Sequence, residues 1–262
     1  MQKTVVRQVE LSVYTPVKRV MRILITIVLC LIVAGILSST FRILQYPFPA
    51  SKWFHKMFDL DSEYNIPAWY ASFSLLFCAG LLAVVTAIKK GDRYHSYWKV
   101  LAFIFLFLGL DEVFSFHEAL IIPSLRKSLQ LNSFFYHTWV IPAIVLVGFF
   151  LFKYWKFVLH LPQRTRNLMI FAGGIYITGA LGIEMVSGAV REAYGRWNVL
   201  TQAVIISEET LEKVGILIFI YALLTYLVKL TDRLTINFQL VPEMAKPREP
   251  VLLDENAPDW PQ

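Results

Sequence analysis

Six long apolar stretches, separated by polar or aromatic segments, dominate the chain. They cover approximately residues 22–40, 68–88, 98–121, 137–155, 167–190 and 207–230. Each is near the length of about 20 residues that an α-helix needs to cross the hydrocarbon core of a membrane. None alternates apolar and polar residues with a period of two, as a membrane strand does. The pattern therefore predicts an all-α protein, a bundle of six transmembrane helices.

The segments outside these stretches complete the predicted organisation. Residues 1–21 form a basic N-terminus, 22–233 the six-helix membrane domain, and 234–262 a tail rich in Pro and charge that we expect to be disordered. The longest connection, 41–67, is aromatic, which suits a membrane interface. Within it we expect a short interfacial helix at 50–58, and we expect the last span to begin early, near Val199.

Composition and charge assign the chain to a membrane and give it an orientation. It is 56% hydrophobic with a mean hydropathy of +0.55, which excludes an ordinary soluble domain. The net charge of +6 comes largely from basic residues at the N-terminus, after the last span, and between spans two and three and spans four and five. The positive-inside rule then predicts that both termini are cytoplasmic. We therefore expect the lipid bilayer, and no nucleic acid, as partner. The expected location is the inner (cytoplasmic) membrane of the cell, with an internal energy-transducing membrane as the alternative.

The third span carries the most unusual group of polar residues in the chain. It contains Asp111, Glu112, Ser115, His117 and Glu118 in an otherwise apolar stretch. A charge at the bilayer centre costs roughly a few kcal/mol, so such residues mark function by default. At about 100° per residue, Asp111, Ser115 and Glu118 share one narrow stripe of a helix, with His117 and Glu112 on its flanks. The predicted topology places this stripe in the outer half of the span.

Two other spans carry polar stripes at the same predicted depth. They comprise Glu184, Ser187 and Arg191 in the fifth span and Glu208, Glu209 and Glu212 in the sixth. The simplest way to hide three such stripes from lipid is to turn them toward one another. Crowded carboxylates cannot all carry charge without compensation. A metal ion, shared protons, or pairing with Arg191, Lys213 and His117 would each supply it.

The residue types suit a divalent metal bound without thiolate. The candidate metal ligands are Asp111, His117, Glu118, Glu184, Glu208 and Glu212, and the candidate catalytic residues are Glu118 and Glu209. Carboxylate and imidazole ligands are compatible with Zn, Mn, Mg or Fe. A zinc site built from His55, His117 and His137 is also open. The only two cysteines, Cys30 and Cys78, lie in apolar spans and predict no thiol chemistry.

A structural interpretation stands beside the functional one. The polar stripes would then form a network that fixes helix packing. Four glycines, Gly173, Gly174, Gly179 and Gly182, are expected to permit close helix contacts in either case.

Three segments together resemble a known group of sequences. They are FDLDSEYNIPAWYAS at 58–72, LDEVFSFHE at 110–118 and EETLEKVG at 208–215. They resemble a group of uncharacterised bacterial polytopic membrane proteins with an acidic segment before a span and an L-D-E…H-E helix. The resemblance implies that these residues belong together, and it carries no activity to transfer.

Three functions fit the sequence. The leading hypothesis is a divalent-metal-dependent membrane hydrolase or transferase that acts on a lipidic substrate at the outer face. The second is a cation- or proton-coupled transporter in which the same acids hold the coupling ion. The third is a non-catalytic subunit of a membrane complex, and a homo-oligomer is left open.

Overall fold

The computed structural model describes residues 16–46 and 49–231, together with the backbone of residues 10–11 and 236–237. The predicted disordered tail at 234–262, apart from that backbone pair, lies outside these residues. Glu10–Leu11 and Ile236–Asn237 form a unit of their own, a two-residue antiparallel pair with Glu10 opposite Asn237. All further description concerns the helical unit within residues 16–231.

The helical unit is all-α, as the apolar pattern predicts. Its helices are α1 (Val17–Ile43), α2 (Ser51–Phe58), α3 (Ile66–Ile88), α4 (His95–Phe114), α5 (Pro123–Ser128), α6 (Val140–His160), α7 (Gln163–Ile177), α8 (Glu184–Tyr194) and α9 (Val199–Leu230). Short 3-10 turns occupy His117–Leu120 and Ser133–Phe135. A π-helical segment, Thr178–Ile183, joins α7 to α8 without a break.

Five helical stretches in the described residues are long and apolar enough to cross a membrane. They are α1, α3, α6, the continuous stretch Gln163–Tyr194, and α9. A sixth span results if α4 and the bent continuation His117–Ser128 are counted together. The protein therefore has the helices of a membrane protein. The short helix in the aromatic connection and the early start of the last span at Val199 are confirmed.

Local sequence explains where two spans begin. The Asn65 side chain accepts a hydrogen bond from the amide of Ala68 at 3.1 Å, and Pro67 occupies the first turn of α3. Asn198 accepts from the amide of Leu200 at 2.9 Å at the start of α9. Such N-caps satisfy amide groups that have no partner within their own helix, and Pro is tolerated there for the same reason.

The predicted continuous helix over 98–121 is wrong. Helix α4 ends at Phe114, Ser115 adopts a left-handed backbone with φ of 54°, and the chain turns by 79° before it continues. Hydrogen bonding explains the break, because the amide of His117 bonds to the Asp111 side chain at 2.9 Å instead of a helical carbonyl. A short acidic side chain that competes for backbone donors favours the end of a helix over its interior.

The apolar core lies toward the end of the bundle where α3 turns into α4. Trp98, only 1% exposed, stacks on Tyr226 with ring centroids 5.4 Å apart and meets the edge of Phe157 at 4.8 Å. Cys78 is fully buried in this core, in accord with its expected role as a small apolar residue. The polar residues described below gather toward the opposite end, so the aromatic core and the polar residues occupy different halves of the bundle.

The close contact of α9 with α7 and the following π-helical segment depends on two glycines, Gly215 and Gly179. The sequence indicated only Gly179. A Cβ atom built on Gly215 would lie 2.8 Å from the Cβ of Tyr176 and 3.0 Å from the carbonyl oxygen of Ala172. A Cβ on Gly179 would lie 3.0 Å from the carbonyl oxygen of Glu208. Gly173 and Gly174 face open space, so the expectation of close packing is wrong for them, and a Cβ on Gly182 would meet only ordinary contact at 3.9 Å.

We expect Gly215→Ala to destabilise the protein by about 1–3 kcal/mol, because the added methyl group meets backbone atoms that cannot rotate away. Gly173→Ala is the matched control, since it makes the same change on the partner helix where nothing lies within 4 Å. Thermal and denaturant unfolding of both variants in detergent would measure the difference. Equal stability of the two variants would contradict the assigned contact.

Candidate functional site

Asp111 and His117 form the most clearly defined polar pair in the chain. The two Asp111 oxygens contact His117 at its backbone amide and at Nδ1 of its ring, each at 2.9 Å. Because the helix breaks at Ser115, the predicted stripe of Asp111, Ser115 and Glu118 on one helix face is wrong. His117, expected only on the flank, is instead the direct partner of Asp111, while Glu118 is exposed.

Glu63 joins this pair from the connection between α2 and α3. Its Oε1 lies 3.6 Å from Nε2 of His117, so the two ring nitrogens each face a carboxylate. Tyr64, the next residue, lies with its hydroxyl 3.4 Å from the Ser115 hydroxyl. Glu63 was not among the predicted site residues. The acidic segment 58–72 was the only sequence signal for it, and that segment gave no direction for the side chain.

A second pair, Glu184 with His137, lies beside the first. Nδ1 of His137 is 2.5 Å from Oε1 of Glu184, and the indole of Trp139 donates to the same oxygen at 3.3 Å. Glu208, 9% exposed, has its carboxyl within hydrogen-bonding reach of Glu184. The Trp139 ring also packs on His117 with centroids 5.1 Å apart. Trp139 therefore touches both histidine–carboxylate pairs.

A third group surrounds the buried Lys213 of α9. Lys213, 2% exposed, forms an ion pair with Glu209, one of the carboxylates with which it was expected to pair. Glu112 of α4 and Glu212 lie close enough to interact electrostatically with both members of this pair. The π-helical segment approaches here, since Gly179 packs directly on the backbone of Glu208 and on the Glu212 side chain.

These three groups form what we call the polar cluster. Its members are Glu63, Asp111, Glu112, His117, Glu118, His137, Trp139, Glu184, Glu208, Glu209, Glu212 and Lys213. The predicted metal ligands are divided among the three groups. Asp111 and His117 belong to the first, where Glu118 interacts electrostatically with Glu63. Glu184 and Glu208 belong to the second group, and Glu212 belongs to the third. Within residues 16–46 and 49–231, no set of three or more His, Cys, Asp or Glu side chains is arranged to hold a metal ion. His55, the other histidine considered for zinc, has separate partners in Ser38 and Asp59.

Two arginines fix the segment that carries Glu63. Arg196 contacts Asp59 at 2.9 Å and Asp61 at 2.8 Å, and Arg191 also pairs with Asp61. Arg191 was expected to pair with the carboxylates of the polar stripes, but its partner Asp61 lies in the aromatic connection. Leu60 packs so closely on Gly35 of α1 that a Cβ there would lie 2.5 Å from the leucine side chain. The segment 59–63 is therefore held by both ion pairs and packing.

A cavity of about 570 Å³ leads to this segment. Its lining consists of His55, Lys56, Asp59, Ser62, Glu63, Tyr64, Arg196 and Trp197. Glu63 belongs both to the cavity wall and to the His117 contact. The cavity therefore gives water and small solutes access to the first group of the polar cluster.

Burial and neighbouring charge alter the acidity of this segment. Burial, reinforced by the carboxylate of Glu118, raises the pKa of Glu63 to about 7 even though His117 opposes the shift. Burial also raises the pKa of Asp61 against the opposing influence of Arg191 and Arg196. Burial lowers the pKa of His55, although Asp59 opposes it. Glu63 is thus placed to exchange a proton near neutral pH.

The raised pKa of Glu63 predicts a pH-dependent stability difference. In the unfolded chain the carboxyl loses its proton near its usual pKa of 4.5, whereas the folded protein retains it to about pH 7. Stability therefore falls as pH rises through this window. Glu63→Gln removes this pH dependence. We therefore expect the melting temperature of the variant, measured relative to that of the wild type, to rise by a few degrees between pH 5 and pH 8.

The control is Asp92→Asn at the opposite end of the bundle. The amide of Tyr94 and the ammonium of Lys89 lower the pKa of Asp92. The stability that this carboxylate contributes is therefore lost only in more acidic solution and is fully present between pH 5 and 8. The Asp92→Asn difference from wild type should stay constant between pH 5 and 8. A Glu63→Gln difference that is equally constant would contradict the assigned pKa.

Comparison with known proteins gives a family without an activity. No curated protein and no solved structure matches the chain. A family model described as a domain of unknown function, DUF8692, matches residues 23–227, which include every member of the polar cluster. This agrees with the resemblance of three segments to an uncharacterised group. The chain belongs to the DUF8692 family of domains of unknown function.

Proposed function

We propose that the protein is a multi-pass transporter that couples substrate movement to proton binding at the polar cluster. In this proposal both termini are cytoplasmic, following the positive-inside rule, and the cavity at Glu63 opens to the outer face. The membrane is the inner membrane of a bacterial cell, as the resemblance of three segments implies. The observation that carries the proposal is the pairing of carboxylates with histidines and with one another across five different parts of the chain.

The first support is the proximity of several proton-binding groups. Glu63, His117 and Asp111 follow one another in contact, and Trp139 links this group to Glu184 and His137. Two carboxyls within hydrogen-bonding reach, such as Glu184 and Glu208, bond to each other only when they share a proton. Chains of acidic and histidine side chains inside membrane spans are typical of proton relays.

The second support is that spans are interrupted where the polar groups gather. The chain bends by 79° between Phe114 and His117, next to Asp111. The π-helical segment Thr178–Ile183 faces Glu208 and Glu212. Interrupted helices at a buried polar site are a common property of ion-coupled transporters, and π segments often occur at functional sites.

The third support is the ion pair of Lys213. Protonation of Glu209 would leave the buried ammonium without a full counter-charge, which is strongly unfavourable. Glu112 and Glu212 already lie within electrostatic reach and would attract the ammonium instead. Lys213 and Glu209 both belong to α9, whereas Glu112 belongs to α4, so proton binding would create an ionic link between α9 and α4. This exchange is the proposed link between the proton and conformational change.

Proton uptake into proteoliposomes tests the proposal. The assay contains no substrate and so measures uncoupled proton entry through the polar cluster. Under a potassium diffusion potential, we expect wild-type vesicles that contain a pH-sensitive dye to acidify faster than protein-free vesicles. Asp111→Asn and Glu208→Gln should reduce uptake to the protein-free rate because each removes a titratable carboxyl. Glu192→Gln is the matched control, since Glu192 pairs with Arg126 outside the cluster and should retain wild-type uptake. No uptake by the wild type, or equal loss in all three variants, would overturn the proposal.

A divalent-metal-dependent hydrolase or transferase with a lipidic substrate is the second candidate. It is favoured by the Asp111–His117 pair, because a carboxylate that orients an imidazole leaves the other ring nitrogen for a metal or a proton. Asp111, His117, Glu118, Glu184, Glu208 and Glu212 would hold Zn, Mn, Mg or Fe, with Glu118 and Glu209 as the bases. The division of these residues among three groups requires the metal to draw them together.

Metal content distinguishes this candidate from the transporter. If the enzyme hypothesis holds, protein purified without chelator should contain close to one divalent ion per chain by elemental mass spectrometry. His117→Gln should reduce that content at least about tenfold, since it removes a ligand. A chelator should also lower the melting temperature of the wild type alone. A metal-free wild type that no added divalent ion stabilises would contradict the hypothesis.

A further inference from the structure

A groove unrelated to the polar cluster lies between α7 and α9. It has a volume of about 710 Å³ and is lined by Gln163, Arg164, Asn167, Leu168, Phe171 and Tyr221. The Arg164 guanidinium donates a hydrogen bond to the Tyr221 hydroxyl at 3.0 Å. In the part of the chain that the structure describes, no carboxylate lies within 4.0 Å of Arg164. The groove therefore holds a positioned cation without a protein counter-charge.

The lining changes from polar to apolar along α7. Gln163, Arg164 and Asn167 occupy its first turns, next to the α6–α7 connection. Leu168 and Phe171 follow one turn further into the span, and Phe171 is 59% exposed. Since α7 runs from a membrane surface toward the interior, polar side chains lie at headgroup depth and apolar ones at acyl-chain depth. This order is that of an amphiphile with a polar head and an apolar tail.

We propose that this groove binds the headgroup and first acyl segment of an acidic phospholipid. Arg164 takes the phosphate, since guanidinium and phosphate form paired, charge-assisted hydrogen bonds. The Tyr221 hydroxyl fixes the guanidinium, and the acyl chain lies on Leu168 and Phe171. The basic residues Lys153, Lys156 and Arg166 nearby in sequence favour a leaflet with negative charge, which is the cytoplasmic one. The site is independent of the proposed transport function.

The chain provides a matched control on the same helix. Arg166 carries the same charge two residues away, but its guanidinium donates to the carbonyl of Leu159 at 3.2 Å and it does not line the groove. Arg166→Gln therefore changes net charge as Arg164→Gln does, without altering the site. Tyr221→Phe complements both variants, because it removes only the hydroxyl that holds Arg164 and leaves the charge unchanged.

The experiment measures binding of phosphatidylglycerol to the purified full chain in detergent by native mass spectrometry and by thermal shift. Phosphatidylcholine with the same acyl chains and inorganic phosphate are tested in parallel. We expect one phosphatidylglycerol per chain and a rise in melting temperature that neither comparison ligand matches. Arg164→Gln should weaken binding about tenfold or more, as expected for loss of charged hydrogen bonds. Tyr221→Phe should weaken it several-fold, while Arg166→Gln should keep the bound lipid.

Each other outcome would overturn the proposal in a different way. An equal stabilisation by inorganic phosphate would show an anion site without lipid recognition. An equal response to phosphatidylcholine would show general acyl-chain binding. Equal losses in Arg164→Gln and Arg166→Gln, with none in Tyr221→Phe, would show attraction to a basic surface and no defined site.

Discussion

Both carboxylate oxygens of Asp111 form hydrogen bonds with one residue, His117, and the rest of the site depends on these two bonds. One oxygen takes the His117 amide and the other its ring, so helix α4 cannot continue through the next turn. The chain bends at Ser115, and the imidazole comes between Asp111 and Glu63. A continuous helix would have satisfied the same amide with a carbonyl and turned His117 away from Asp111. The local hydrogen bonds thus determine both the bent backbone and the position of the imidazole ring.

Charge balance explains how the remaining acids are tolerated in an apolar bundle. Three carboxylates of the cluster each contact a basic or imidazole side chain: Glu184 contacts His137, Glu63 contacts His117, and Glu209 pairs with Lys213. Lys213 is the one buried ammonium among the described members, and three acids surround it. Its counter-charge is therefore distributed over α4 and α9. A single deleted acid leaves other acids able to take its place, whereas a deleted Lys213 would leave all three without a cation.

The sequence predicted the spans well because hydrophobic length is a property of each segment alone. It also indicated most of the cluster, since charged residues in apolar stretches are costly wherever they lie. Helical periodicity failed at Ser115 because it assumes that backbone amides bond within the helix, and Asp111 supplied a stronger local partner. Glu63 and Trp139 were missed as members, and His137 was considered only as a zinc ligand and not as the partner of Glu184, because all three come from connections, whose approach is decided by tertiary packing. The same limitation applies to Arg191, whose partner Asp61 lies 130 residues away in the chain.

The polar cluster and two close helix contacts lie at the same place in the bundle, which ties charge to packing. Gly215, two residues after Lys213, lies against Tyr176 so closely that no Cβ fits between them. Gly179 makes a similar approach to Glu208 and Glu212. Interiors packed to this density shift between discrete arrangements and do not deform gradually. A change in the partner of Lys213 from Glu209 to Glu112 would therefore move α9, together with the α7 helix packed on it, relative to α4. The aromatic core around Trp98 joins α4, α6 and α9 at the other end and would act as the fixed point of that movement.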